Sequence, residues 1–277
     1  MSTGASEGPR AVDERRHDDG VDVFTFLAGT PGATFGLHVD VVTLPALGTA
    51  WYWAAVIEEG RPLVTLLETE TPLPRRDHDL ELRTSGLWAD HVCETPLVHW
   101  SLGLEAFAVG LDDPTGAWGD FRGDRVPLGF DLEWEHDDGG YSAAPGHDVF
   151  WSLVTGEVLV GREAYDLTAH GWRGHRWGGA VPWTGPGATI AAVVDGEPVH
   201  AGDGVAGVAS DTTGVRWRPG AGLDSLDGVV HRGEPLPVEV IGWSPVRVPN
   251  DGFDLRIARA FCRFGDRGNG WIELVGV

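Results

Sequence analysis

The apolar residues of this chain come in short runs that never settle into a 3.6-residue period. From Val21 onward VDVFTFLA, TFGLHVDVVTL, TAWYWAAVIEEG, PLVTLLETETPL and LELRTSGLWA are rich in β-branched and aromatic residues and stop at Gly, Pro or Asp. Such side chains fit a pleated, half-buried surface, and the stopping residues supply turns. Punctuated by 41 Gly and 18 Pro, the chain is predicted to be all-β, built from antiparallel hairpins. Its 277 residues suffice for two domains, each with its own core. The most loop-like interior stretch is 137-DDGGYSAAPG-146, which predicts one β domain over 21–140 and a second over 147–277. Residues 1–20 have almost nothing apolar to bury and read as a disordered tail. In the first domain LGLEAFAVGL is assigned to strand because it holds two glycines, and in FDLEWEHDD the apolar Phe130, Leu132 and Trp134 alternate with Asp131, Glu133 and Glu135. In the second, HDVFWSLVTGEVLVGREAY reads as strand, Thr-Gly turn, strand, Gly-Arg turn, strand. Eight or so antiparallel strands per domain would form barrels or strongly curved sheets with ligand-sized interiors.

Charge removes several functions. A formal net charge of −22 without a basic stripe repels phosphate backbones and anionic lipid surfaces, so no nucleic-acid partner is expected. The chain has no Lys, which excludes Schiff-base catalysis and a P-loop. Cys93 and Cys262 are too few for a disulfide framework and belong to no zinc-like cluster. No secretory apolar core precedes Val21, and no later run approaches the ~20 apolar residues of a membrane span. A cytoplasmic protein is expected; the sequence sets no oligomeric state.

Chemistry concentrates in 165-YDLTAHGWRGHRWGGAVPW-183. Period-two alternation puts His170, Trp172, Gly174 and Arg176 on one side of a strand, and Gly171, Arg173, His175 and Trp177 on the other. Both faces are mixed, so the segment either finds polar partners in a cavity or is an exposed corner with Arg stacked on Trp. In 97-LVHWSLGLEAFAV-109, His99 and Glu105 share a face opposite Trp100, Leu102 and Leu104. A Glu105 surrounded by Phe107 and Val109 would be a raised-pKa general acid, or else a buried partner of an Arg such as Arg173. The acid run Asp131, Glu133, Glu135 follows no calcium-loop spacing and reads as a solvated strand face. His170 and His175 lack a metal-ligand pattern, and no nucleotide fingerprint is present, so neither metal nor cofactor is expected. Thirteen Trp are many for this length: they form either a Trp-rich core or the lining of a cavity for a bulky apolar ligand.

Several of these segments carry a family resemblance. The stretches 97-LVHWSLGLEAFAVGLDDP-114, 125-RVPLGFDLEWE-135, 171-GWRGHRWG-178 and 261-FCRFGDRGNGWIEL-274 resemble a bacterial branch of the AttH-like group, which includes hydroxyneurosporene synthase (carotenoid hydratase) and is distantly related to tocopherol cyclase. The resemblance implies two consecutive lipocalin-like β domains and a cavity for isoprenoid-like or polyketide-like molecules. Relatives usually read G-x-R-D-H-x-W-G, matched here by Gly171, Arg173, His175, Trp177 and Gly178, with Gly174 in place of the Asp. The reading that results is a cofactor-independent, acid-catalysed hydration, cyclisation or isomerisation of a small hydrophobic molecule. Glu105 would be the acid, His175 the relay and Arg173 the orienting cation, with Trp100, His99, Trp172, Trp177 and Phe107 binding the substrate. The rival, favoured by the missing Asp, is a non-catalytic carrier of an apolar metabolite.

Overall fold

The computed structural model describes residues 8–136, 140–179, 183, 185–202, 213–250 and 253–277. Nineteen strands carry the chain: β1 Val21–Gly29, β2 Phe35–Leu44, β3 Thr49–Glu58, β4 Leu63–Pro72, β5 Asp79–Arg83, β6 Leu87–Thr95, β7 His99–Leu111, β8 Asp124–Glu135, β9 Tyr141–Ala144, β10 His147–Val160, β11 Glu163–Gly179, β12 Gly187–Val194, β13 Glu197–Gly202, β14 Gly214–Trp217, β15 Leu226–His231, β16 Glu234–Leu236, β17 Glu239–Asn250, β18 Phe253–Arg263 and β19 Gly268–Val275. Every strand pairing among the described residues is antiparallel, as the hairpin pattern predicts. No helix among the described residues is long and apolar enough to cross a membrane.

The first eleven strands form one sheet in the order β4-β3-β2-β1-β11-β10-β8-β7-β6-β5, with β9 on β10, and pairing of β4 with β7 closes a ring. Its interior is filled. Trp100, Trp134, Tyr52, Phe24 and Phe26 are all fully buried there with Leu102 and Leu132, so the barrel is a packed core and not a calyx. In β7 and β8 the predicted alternation holds: Phe130, Leu132 and Trp134 are buried while Asp131 and Glu135 are exposed.

This sheet extends to Gly179, beyond the loop-like stretch at 137–146. β10 and β11 pair back onto β8 and β1, so composition placed a boundary where the chain only turns; residues 137–139 lie outside the described set. The Thr155-Gly156 turn is also absent, since β10 runs straight through it. Gly156 has φ +140°, and a Cβ there would lie 2.1 Å from the Asp131 carbonyl oxygen, so this glycine marks close approach of β8.

Beyond Gly179 a five-stranded sheet, β13-β12-β19-β18-β17, packs one face against the three-stranded β14-β15-β16 through Ile190, Ile272, Val229 and Leu236. Its other face lies on the outside of the ring, where Val246, Ile257 and Val275 meet Val42, Trp51 and Trp53. Sandwiched in this way, β2 is buried along its whole length: Phe35, Leu37, Val39 and Val41 enter the ring core, and the alternating His38 and Asp40 meet Ser244 and Arg259 of the five-stranded sheet.

The expected disordered tail is corrected over residues 8–20. Ala11–Glu14 form a 3₁₀ turn at one end of the ring, with Asp13 and Glu14 buried. An apolar count misses this anchor because what holds it is ionic.

Candidate functional site

β11 is one strand with two chemically distinct faces. Its inward residues gather beneath the N-terminal segment. The fully buried Arg173 donates from Nη2 to Glu14 Oε1 at 2.6 Å and from Nε to His136 Nε2 at 3.1 Å, and its guanidinium lies 3.8 Å from the centre of the Phe150 ring. Since the guanidinium can only donate, His136 accepts at Nε2 and its Nδ1–H is left for Ser152 Oγ, 2.7 Å away. Trp100 donates to Glu14 Oε2 at 2.7 Å. One residue pair along, His175 Nε2 meets Asp22 Oδ1 at 2.6 Å, its ring stacks on Phe24, and His17 stacks on Trp177. Glu14 and His136 take up Nη2 and Nε of Arg173, and Nη1 is left without a partner among the described residues.

The outward residues Trp172, Gly174 and Arg176 line a cavity of about 100 Å³ between the ring and the five-stranded sheet. Register explains its shape. Gly174 lies between Thr25 on β1 and Val149 on β10, and a Cβ added to it would meet nothing nearer than 3.8 Å, so the missing side chain leaves room. From β10 comes His147, paired with Arg176. The opposite wall is Ala191, His200, Arg259, Trp271 and Glu273, with Trp183 also at the cavity. Junctions between structural units are a common place for ligand cavities.

Polar groups in this cavity are mostly committed. Arg259 binds Asp40 and, at 2.6 Å, Glu273; Glu273 also accepts from Trp183 Nε1 at 3.1 Å. Thr25 donates to Asp40 at 2.7 Å. Arg176 Nη2 donates to His147 Nδ1 at 3.3 Å, and Tyr141 Oη lies 2.7 Å from His200 Nδ1. Burial, with the Arg176 guanidinium adding to it, holds both imidazoles below the ordinary histidine range, His200 at about 4, so both are neutral near pH 7. Burial likewise raises the Tyr141 phenol.

Of the eight residues predicted for a site, Trp172 alone lines this cavity. Arg173, His175, Trp100 and Trp177 belong to the cluster beneath the N-terminal segment. Glu105 is exposed on the outer face of β7, so the apolar surroundings expected of a raised-pKa acid are absent, and the carboxylate on Arg173 is Glu14. On that same outer face Phe107 is 47% exposed under the Arg125 guanidinium, and His99 pairs with Glu133 at 2.5 Å. The alternation holds in this segment, and the face carrying Glu105 turns to solvent. Sequence reasoning passed over His147, His200 and Arg259, which come together only through register between distant strands; Trp271 and Glu273 sit inside the FCRFGDRGNGWIEL segment noted for its resemblance. A larger depression of about 630 Å³ lies at the other end of the ring. It is open, and its Arg61, Glu163, Glu58 and Tyr165 are bonded to one another.

No protein-family model matches the sequence, and no curated protein matches it. Solved structures do match in fold. A candidate AttH protein from Nitrosomonas europaea is similar over 100% of this chain and 98% of its own, with a TM-score of 0.55 at 13% identity. The crystal structure of CghA is similar over 93% of this chain and 88% of its own, with a TM-score of 0.50 at 10% identity. The chain therefore has the lipocalin-like, all-β architecture that its sequence segments imply, in common with AttH.

Proposed function

We propose that the protein binds a small isoprenoid-like or polyketide-like molecule between its ring and its five-stranded sheet, and catalyses a cofactor-independent cyclisation or isomerisation there. One observation carries the reading: a cavity at the junction walled by Trp172, Trp183 and Trp271, with neutral His147 and His200 beside them. Indole faces hold an apolar chain in a folded conformation, and orientation alone is worth a large part of an intramolecular barrier. Acid-driven hydration fits less well. The cavity carboxylate, Glu273, is held by Arg259 and Trp183, position 174 is Gly, and the imidazoles are neutral near pH 7 and so lack the acidic imidazolium proton. Those same facts support the second reading, a carrier that shields its ligand without changing it.

Incubation of the purified protein with linear polyenes and polyenyl ketones, followed by mass spectrometry coupled to chromatography, separates the two. The expected result is a product of unchanged mass and altered retention, lost in Trp172→Ala. Saturable quenching of tryptophan fluorescence with no product identifies a carrier. Absence of both quenching and product across the panel sinks the ligand-binding reading.

A further inference from the structure

The free hydrogen-bonding atoms around the cavity are nearly all donors. Trp172 is 6% exposed, and its indole Nε1–H has no partner among the described residues. Among the buried indoles in that condition, Trp53, Trp118, Trp134 and Trp172, it is the one that lines this cavity. At His147 the Nδ1 lone pair is taken by Arg176, which can only donate, so the ring proton sits on Nε2. That nitrogen faces Gly174, 4.0 Å from where a Cβ would stand. The Tyr141 hydroxyl has no other acceptor among the described residues, so it donates to His200 Nδ1 and leaves Nε2–H there as well. The three groups form one patch: the His147 and His200 ring centres are 6.1 Å apart, and those of Trp172 and His200 5.8 Å. Of the acceptors, Glu273 is engaged by Arg259 and Trp183, and the Thr189 hydroxyl can act either way.

Resting on the cavity reading above, we propose that Trp172, His147 and His200 hold the oxygen of a neutral carbonyl group, so that the ligand is an oxygen-bearing apolar molecule of ketone type and not a plain hydrocarbon. A buried donor without a partner is costly, and a carbonyl oxygen with two lone pairs satisfies more than one of them. A neutral oxygen suits these donors, which carry no formal charge, while the cavity's cations are engaged, Arg259 by Asp40 and Glu273 and Arg176 by His147. The same donors would stabilise an enolate as negative charge moves onto that oxygen, which is the electrostatic help that a ring closure or double-bond shift beside a carbonyl needs.

Acetophenone and α-methylstyrene test this, since they differ by oxygen against methylene at one position and match in shape. Affinities are measured by ligand-observed nuclear magnetic resonance titration of the intact chain. A cavity without hydrogen bonds favours the alkene, because water holds the ketone more strongly. The expected result is that the ketone binds at least as tightly as the alkene, and that Trp172→Phe weakens the ketone about threefold to tenfold while leaving the alkene unchanged. Tighter binding of the alkene to the unaltered protein, or a ketone-to-alkene ratio unmoved by Trp172→Phe, overturns the oxygen assignment and leaves the cavity reading standing. If neither probe binds, both fall. Should Trp172→Phe fail to fold, the ratio in the unaltered protein decides alone.

Discussion

Arg173 is a buried cation whose ion-pair partner among the described residues, Glu14, arrives from the far end of the chain. Removing one member of a buried ion pair leaves the other charge without compensation, a loss of about 3–5 kcal/mol. Glu14→Gln is therefore expected to lower stability by about that amount in urea denaturation. Glu105→Gln, at an exposed position, is expected to stay within about 0.5 kcal/mol and to leave any activity intact. The two glutamates also show where reading residues reaches its limit. Glu105 sits among apolar letters yet faces water, because a strand alternates; Glu14 sits among polar letters yet is buried, because an arginine 159 residues away needs it. The exposure of Glu105 follows from local alternation with the buried Trp100, Leu102 and Leu104, whereas the burial of Glu14 is not local and has no signal in its own neighbourhood in sequence.

At the scale of the element, β11 puts structural ionic contacts on one side and a candidate ligand cavity on the other, a division legible in the alternation of HGWRGHRWG. What the alternation did not disclose is which side faces the cavity, since that depends on a five-stranded sheet arriving from residues 187–275. Its glycines differ for the same reason. A Cβ on Gly171 would stand 2.4 Å from Val154 Cγ2 and 2.9 Å from Trp134 Nε1 inside the ring, whereas Gly174 opens on the cavity. Gly171→Ala should cost about 1–3 kcal/mol through overpacking, and Gly174→Ala should leave the melting temperature nearly unchanged while altering ligand affinity. Equal melting temperatures for the two variants would contradict this assignment of faces. In β2 the alternation of Phe35, Leu37, Val39 and Val41 with His38 and Asp40 suggests a polar outer face, yet both faces are buried, because His38 and Asp40 find Ser244 and Arg259 across the junction.

For the molecule as a whole, buried neutral histidines tie stability to pH. His38, His91 and His200 are held at about 4 and His136 at about 3, in each case chiefly by burial. The unfolded chain takes up these protons near pH 6.5, before the folded one does. Their contribution is thus complete above pH 6.5 and is lost as pH falls from there toward about 4, by up to about 1.4 kcal/mol per pH unit for each group. Urea midpoints at pH 7.5 and 5.5 should show a clear drop at the lower value; equal midpoints would mean that these rings are charged in the fold or already neutral in the unfolded chain. The ring closes by setting β1 between its immediate neighbour β2 and the distant β11. On a ribosome, a nascent chain that has emerged only as far as β10 therefore holds β1 with one unsatisfied edge, and Glu14 beside an empty space where the guanidinium belongs. Such a chain is open to proteases and to edge-to-edge association until residues 163–179 leave the exit tunnel. One strand thus seals the edge of the ring, while the outer face at Val42, Trp51 and Trp53 stays uncovered until residues 187–275 follow it.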